Sequence, residues 1–147
     1  RRTVPVEKIV TGPGQTSLAK GEIIEAVILP ARPARSGDAY LRFTPRTEMD
    51  IAVVSVGVNL TLERGRIKSA RVVLGAVAPT AIIVPAAARA IIGTRLDDAA
   101  LNKLADACSA ACDPIDDKRG TIEYRTKVAG VLARRAAKIA FQRAGGA

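Results

Sequence analysis

The sequence lacks histidine and contains only two cysteines among its 147 residues. Histidine is the commonest general base of enzymes, the partner of nucleophilic serine and cysteine, and a frequent zinc ligand. Its absence argues against self-contained hydrolytic catalysis and against most zinc sites. We therefore expect neither a catalytic residue nor a metal ligand within this chain.

The two cysteines, Cys108 and Cys112, lie four residues apart in a helical pattern, on one stripe with Leu101 and Leu104. A cysteine on an apolar stripe behaves as a small core hydrophobe. We interpret both as buried and reduced, and a metal or disulfide role stays open as the alternative.

Aromatic residues make up 3% of the chain, while the net charge is +9. The sequence has no helix-turn-helix, zinc-finger or aromatic-and-basic RNA-binding motif. Charge alone is weak evidence, and we expect no nucleic-acid partner. The most basic region is residues 119–143, where Glu123 is the only acidic residue. It is either a solvated helix face or a surface that docks on an acidic protein.

Long apolar runs are also absent: no window of about 20 residues is apolar enough to span a membrane. The first residues, RRTVPVEKIV, lack the apolar core of a signal peptide. We therefore expect a cytoplasmic chain without a membrane span. The hydrophobic content of 48% is sufficient for one ordinary domain with its own core.

A strict alternation runs through residues 52–62, where every even position is Ala, Val or Leu and most odd positions are small or polar. This period of two predicts a strand with one buried face. A turn at residues 63–66 and a second β-rich run at 67–77 predict a hairpin. We expect a third strand within residues 39–45, which ends in a charged loop at residues 46–50. The apolar segment EIIEAVILP, residues 22–30, is predicted as a further strand.

Residues 80–145 follow a helical period and predict three helices. The first spans about residues 80–92, where Pro85 either lies in its first turn or follows an extended stub. The second opens at LDDAAL with an aspartate cap and closes near Asp113, and the third covers residues 121–143. The apolar stripe of the third helix is predicted to include Tyr124 and to leave Arg125 largely off it; its other members are Val128, Leu132, Ala136 and Ile139. Strands followed by helices indicate an α+β fold, an antiparallel sheet of three to four strands covered on one face by about three helices.

Three segments carry a resemblance to a known family. They are DAYLRFTPRTEMDIAVVSVGVNL, ARVVLGAVAPT and DDKRGTIEYRTKVAGVLARRA, in this order. Together they resemble the C-terminal domain of the FAD-binding medium subunit of molybdenum hydroxylases, the family of xanthine dehydrogenase and carbon monoxide dehydrogenase. The likeness covers about residues 20–143. Residues 1–19 resemble the end of the preceding FAD domain, so residues 20–147 are expected to form the C-terminal domain.

The resemblance implies a role in electron transfer. In this family a molybdenum cofactor on a large subunit oxidises the substrate, and 2Fe-2S clusters on a small subunit pass the electrons to FAD on the medium subunit. The C-terminal domain closes over one side of the flavin. The implied partners are therefore the FAD domain, the iron-sulfur subunit and the molybdenum subunit. A docking module that only holds the subunits together is the alternative function.

The same resemblance implies four cofactor-binding residues: Ile24, Arg42, Arg46 and Asp50. Ile24 occupies an apolar position near the flavin, Arg42 a basic one, and Arg46, Glu48 and Asp50 match a charged loop at its border. The alternatives are that Arg42 is a solvated edge-strand residue and that Asp50 is a cap or a partner of Arg46. Tyr124 is predicted as a core aromatic residue with its hydroxyl bonded.

Glycine-rich FAD-binding loops are missing from the chain. Glycine-rich loops cradle a pyrophosphate through backbone amides, and no strand, G-x-G-x-x-G and helix occur in succession here. We expect this chain to bind FAD weakly or not at all by itself.

Overall fold

The computed structural model describes residues 1–46 and 50–146. The helical elements are a 3₁₀ turn (Val6–Lys8), α1 (Pro85–Ile91), α2 (Asp98–Ala110) and α3 (Ile122–Arg143). The strands are β1 (Val10–Gly12), β2 (Gln15–Thr16), β3 (Ser36–Phe43), β4 (Val54–Glu63), β5 (Arg66–Gly75) and β6 (Ile82–Ile83).

Strands β3 to β6 form one four-stranded antiparallel sheet in sequence order, with β3 at an edge. The predicted alternation is confirmed, since Val54, Val56, Val58, Leu60 and Leu62 are all buried. Their partners across β3 and β5 lie on the same face, because directly opposed residues of antiparallel strands share a face. One face of the sheet therefore forms half of the core.

The hairpin between β4 and β5 turns on Arg64 and Gly65, which both have positive φ, of 51° and 74°. Two central residues with positive φ define the tight turn whose twist suits a two-residue hairpin. The predicted hairpin is confirmed.

The helices cover the apolar face of the sheet in two layers. Helix α3 packs on β3 and β4 and α1 packs on β5, while α2 packs on the two other helices. The core joins these surfaces through large aliphatic side chains of the strands and the alanines of α3. The predicted α+β fold with helices on one face is confirmed.

Both sequence interpretations of Pro85 hold at once. The extended stub is β6, and Pro85 then occupies the first position of α1, where its missing N–H costs nothing. Gly93 follows the end of α1 with φ of 83°. Asp97 caps α2 by accepting a hydrogen bond from the Ala100 amide, as predicted, but α2 ends at Ala110, before the expected Asp113.

The prediction for one face of α3 was wrong in detail. Arg125, predicted to lie off the apolar stripe, is 3% exposed, whereas Tyr124, predicted in the core, is 44% exposed. The sheet-facing stripe is shifted by one residue and contains Ala129, Ala133 and Ala136. The small alanine side chains allow α3 to approach the sheet closely. The gap between helix and sheet is then too narrow for the ring of Tyr124, which lies outside it.

The N-terminal arm folds mainly on itself. Strands β1 and β2 form a separate hairpin, and Arg2 donates from Nε and Nη2 to the two carboxylate oxygens of Glu22, at 2.8 and 2.7 Å. The bonds from Arg2, together with one from the Ala19 amide, lower the pKa of Glu22 to about 2. The predicted strand at residues 22–30 is not formed, because a strand requires a neighbour for its backbone groups. Its aliphatic side chains are exposed instead.

Cys108 is buried, and Cys112 is half-buried where full burial was predicted; both are free thiols. Burial raises the pKa of Cys108 to about 12 and also raises that of Cys112. We expect a thiol reagent to leave Cys108 unlabelled in the native protein and to label Cys112 slowly, because the thiolate is the reactive form. The Cys112→Ser variant should show no native labelling. Rapid labelling of Cys108 in that variant would contradict the expectation.

Within residues 1–46 and 50–146, no helix is both long and apolar enough to cross a membrane.

Candidate functional site

Arg42 lies near the end of the edge strand β3 and opposite Ser55 of β4, on the face of the sheet away from the helices. Its side chain is exposed and forms no hydrogen bond or ion pair with any residue that the structure describes. The two neighbours of Arg42 along β3, Leu41 and Phe43, pack against the core. The guanidinium group therefore stands on a strand with packed neighbours, and none of its donors is used by a residue that the structure describes.

Asp50 follows the loop that leaves β3, and its side chain is only 4% exposed. The carboxylate accepts hydrogen bonds from Arg119 Nε at 3.2 Å, from the Ile51 amide at 2.8 Å and from Arg46 Nε at 3.4 Å. The structure thus brings the predicted residues Arg46 and Asp50 together. Arg46 itself is 70% exposed, so the less exposed Arg119 is the better-placed partner.

The pKa of Asp50 reflects this environment. Burial opposes ionisation of the carboxyl group, but the hydrogen bonds from Arg119, the Ile51 amide and Arg46 outweigh burial and lower the pKa below its ordinary value. Asp50 is therefore a carboxylate at neutral pH. We refer to Arg42, Arg46, Asp50, Ile51 and Arg119 as the charged end of the sheet.

Ile51 is the apolar member of the charged end, with 63% of the residue exposed. A large aliphatic side chain beside charged groups offers a surface for a flat apolar ligand. Phe43, the last residue of β3, and Tyr124, in the first turn of α3, form an edge-to-face pair with a centroid separation of 6.2 Å. Tyr124, with no hydroxyl bond to a described residue, thus contributes to this surface and not to the core.

Ile24, the fourth predicted site residue, lies outside the sheet in the segment without secondary structure and is 58% exposed. The structure does not connect it to the hydrogen bonds of Arg46 and Asp50. Glu48 falls outside the described residues.

A buried arginine, Arg125, holds together the backbone segments next to the charged end. Arg125 donates from Nη1 to the carbonyl oxygens of Val53, at 2.8 Å, and Ala76, at 3.3 Å. It also donates from Nη2 to Asp117 Oδ1 at 2.6 Å and from Nε to the Gly120 carbonyl at 3.3 Å. One side chain therefore joins the start of β4, the end of β5 and the connection between α2 and α3.

Asp117 organises a tight turn in that connection. Its backbone pairs with Gly120 in both directions, and its carboxylate also accepts from the Arg119 amide at 2.8 Å. The bond from the Arg119 amide and that from Arg125 lower the pKa of Asp117 below its ordinary value of 3.8. Arg119 stands at the tip of this turn, which directs it to Asp50.

We expect Asp117→Asn to destabilise the fold at pH 7 and to have less effect as the pH falls below 3.8. The folded-state pKa is lowered, so the ionised group stabilises the fold above pH 3.8, and this contribution is lost as the pH falls through the lower folded value. Urea unfolding of both proteins from pH 7 to about pH 2 measures the difference. A difference that stays constant over this range would contradict the assignment.

Sequence reasoning missed Arg119 and Arg125, although a signal for Arg125 was present. Once α3 is placed from its cap at Thr121, Arg125 precedes Ala129, Leu132 and Ala136 by four, seven and eleven residues. This spacing places it on the buried stripe. Arg119 gives no such signal, because its contact with Asp50 joins residues 69 positions apart.

Among the described residues, no group of three or more His, Cys, Asp or Glu side chains could hold a metal ion. The charged end offers cationic donors and one exposed aliphatic surface. This donor set fits one border of a flavin, whose ring is apolar and whose carbonyl and phosphate oxygens accept hydrogen bonds. It does not supply a pyrophosphate cradle.

Comparison with known proteins identifies relatives of the whole chain. The family model of the CO dehydrogenase flavoprotein C-terminal domain matches residues 39–140. The carbon monoxide dehydrogenase medium chain of Afipia carboxidovorans is 36% identical over 97% of this chain and 49% of its own length. The xanthine dehydrogenase FAD-binding subunit of Escherichia coli is 27% identical over 99% of this chain and 50% of its own length.

A solved structure shares the fold closely. A chain of reconstituted CO dehydrogenase from Oligotropha carboxidovorans superposes with a TM-score of 0.91 at 35% identity, over 97% of this chain and 49% of that chain. This chain therefore spans about half the length of each of these three relatives.

Proposed function

The chain belongs to the CO dehydrogenase flavoprotein C-terminal domain family, and from this premise we propose that it forms the C-terminal part of the FAD-binding subunit of a molybdenum hydroxylase. Its charged end borders the flavin there. The observation that carries this proposal is Arg42, an exposed arginine on a rigid edge strand with no partner among the described residues. An arginine held in this way can receive an anionic or carbonyl oxygen by a charge-assisted hydrogen bond.

Bound FAD would supply the redox chemistry, accepting electrons from iron-sulfur clusters and delivering them to an external acceptor. The residues of this chain orient the ring and exclude water. Arg42 binds an oxygen acceptor of the flavin, Ile51 covers apolar ring surface, and the carboxylate of Asp50 holds the backbone of Ile51 in place through its amide. Arg46 adds a positive charge at the rim.

The exposed apolar segment before β3 is an argument that this chain is part of a larger protein. Ile23, Val27, Ile28 and Leu29 are between 74% and 84% exposed, and Ile24 is 58% exposed. A run that is apolar on both faces is typical of a strand inside a covered sheet. We assign residues 1–19 to the end of the preceding FAD domain, with residues 20–147 as the C-terminal domain. Residues 22–30 then lie at the junction, where Ile24 lies near the flavin.

The remaining partners follow from the proposed complex. An iron-sulfur small subunit carries the 2Fe-2S clusters, a large subunit carries the molybdenum cofactor, and the assembly is cytoplasmic. The names of the relatives agree with a subunit of such a complex, since they include a medium chain and a FAD-binding subunit.

We expect Arg42→Ala in the flavin-loaded subunit to weaken flavin binding by roughly 1.5 to 3 kcal/mol, or about 10- to 100-fold. The substitution removes one charge-assisted hydrogen bond and leaves the core intact, because the side chain is exposed. Flavin titration measures the affinity, and circular dichroism checks the fold.

The matched control is Arg89→Ala, which removes an exposed arginine from α1, the helix that packs on β5 and not on the edge strand β3. The control should retain wild-type flavin affinity. Equal affinity of Arg42→Ala and wild type, with both folded, would reduce Arg42 to a solvated edge residue and would favour docking as the role of this domain.

Docking is supported by one further observation. Helix α3 exposes Lys127, Arg135 and Lys138 together with Val131, which is 42% exposed, on the side away from the sheet. Cations around an aliphatic centre suit an acidic protein surface. The charge-reversal variant Arg135→Glu in the assembled complex should release a docked subunit at lower salt than wild type. Unchanged assembly would remove this second function.

A further inference from the structure

The contact between Arg119 and Asp50 directly joins the tip of the α2–α3 turn to the segment before β4 at the charged end. Its two atoms, Arg119 Nε and Asp50 Oδ1, lie 3.2 Å apart, and the same oxygen accepts from the Ile51 amide at 2.8 Å. We propose that Arg119 is a positioning residue that fixes the backbone at Asp50 and Ile51 and thereby sets how Ile51 faces the flavin. This inference rests on the proposed function.

The burial of Asp50 makes this link necessary. Its side chain is 4% exposed, so an ionised carboxylate there needs charged or amide donors. Arg46 is mostly exposed, with its Nε at 3.4 Å, and water competes for it. Arg119 is 32% exposed and is the better-held cation. Removing Arg119 leaves the buried carboxylate dependent on one amide and a solvated arginine.

The position of Arg119 is itself fixed by the core. Its amide donates to Asp117, whose carboxylate also accepts from Arg125 at 2.6 Å. Arg125 in turn donates to the Val53 carbonyl, three residues beyond Asp50. Arginines of the α2–α3 region therefore hold the segment 50–53 at both ends. Arg119 binds the side chain of Asp50, and Arg125 binds the backbone carbonyl of Val53.

Ile51 lies between these two attachments. Its backbone amide is hydrogen-bonded to Asp50 while the residue is 63% exposed. An exposed side chain on a restrained backbone is a preorganised contact surface, because its orientation is set before a ligand arrives. Arg119 does not touch the ligand in this arrangement and acts through Asp50.

The test uses the complete flavin-loaded subunit, as wild type and with Arg119→Ala, Arg119→Lys or the exposed-site control Arg89→Ala. Hydrogen exchange reports the Ile51 amide, and flavin absorption and reduction potential report the ring environment. We expect Arg119→Ala to accelerate Ile51 exchange about 10-fold and to shift both flavin signals. Arg119→Lys should return both signals most of the way to their wild-type values, and Arg89→Ala should change neither.

The outcomes separate this inference from the proposed function. Unchanged Ile51 exchange in Arg119→Ala overturns the positioning role, whatever the flavin signals show. Faster exchange with unchanged flavin absorption and potential overturns the statement that this segment faces the flavin. In that case Arg42→Ala, which leaves the Asp50 network intact, tests independently whether the edge strand contacts the cofactor.

Discussion

Replacing Arg125 by methionine will lower the free energy of unfolding by about 3 to 5 kcal/mol, the range found when one partner of a buried charged pair is removed. Methionine keeps the length and the apolar stem of the side chain but offers no donors. The variant removes the hydrogen bonds that Arg125 donates to the Val53 and Ala76 carbonyls and to the Asp117 carboxylate. Urea unfolding followed by circular dichroism measures the loss.

Two variants make the Arg125 result specific. Arg135→Met, at an exposed position of α3, should change stability by less than about 0.5 kcal/mol. Arg125→Lys should recover only part of the loss, because one ammonium group cannot reproduce four donor contacts in a planar fork. If Arg125→Met costs no more than Arg135→Met, the buried network does not stabilise the fold.

Gly37→Ala will cost at least about 3 kcal/mol, the upper range for overpacking a core. Gly37 lies in β3, where a Cβ atom would collide with the Ala140 carbonyl oxygen and approach the Ala144 amide nitrogen to 2.6 Å. Both contacts are backbone atoms at the end of α3, which cannot move aside as a flexible side chain can. Thermal and urea unfolding measure the effect.

The neighbouring strand provides the control. At Gly57 a Cβ atom would meet only Tyr40 Cδ2, at 4.0 Å. Gly57→Ala should therefore stabilise the strand by up to roughly 0.5 to 1 kcal/mol, since glycine is costly in a strand interior. Similar losses in the two variants would mean that glycine matters for strand flexibility, and not for the close approach of α3 to β3.

The fold could be predicted from the sequence because its determinants are local. The alternation from Val54 to Leu62, the turn at Arg64 and Gly65, and the cap at Asp97 each reside within a few residues of the element they define. The buried face of α3 was harder to predict, because α3 is alanine-rich and two neighbouring stripes of the helix have similar hydrophobicity. The choice between Tyr124 and Arg125 depended on how closely the helix approaches the sheet.

The supporting contacts of the site could not be predicted in the same way. Arg125 and Val53 are 72 residues apart, and Asp50 and Arg119 are 69 residues apart. A buried arginine is stable only when the fold brings several acceptors to it, and the sequence does not show where those acceptors meet. The pairing of Asp50 with Arg46 could be predicted as an alternative, because the two residues are only four positions apart in the sequence.

The exposed segment at residues 22–30 has a consequence for the cell. IIEAVIL is rich in β-branched and aliphatic residues, contains one charge and lacks proline and glycine, which is the composition of segments that stack into intermolecular sheets. A chain left without a cover for these side chains would self-associate or be captured by chaperones and proteases. In the proposed subunit these side chains are covered, so we expect polypeptides that fail to assemble to aggregate or to be degraded.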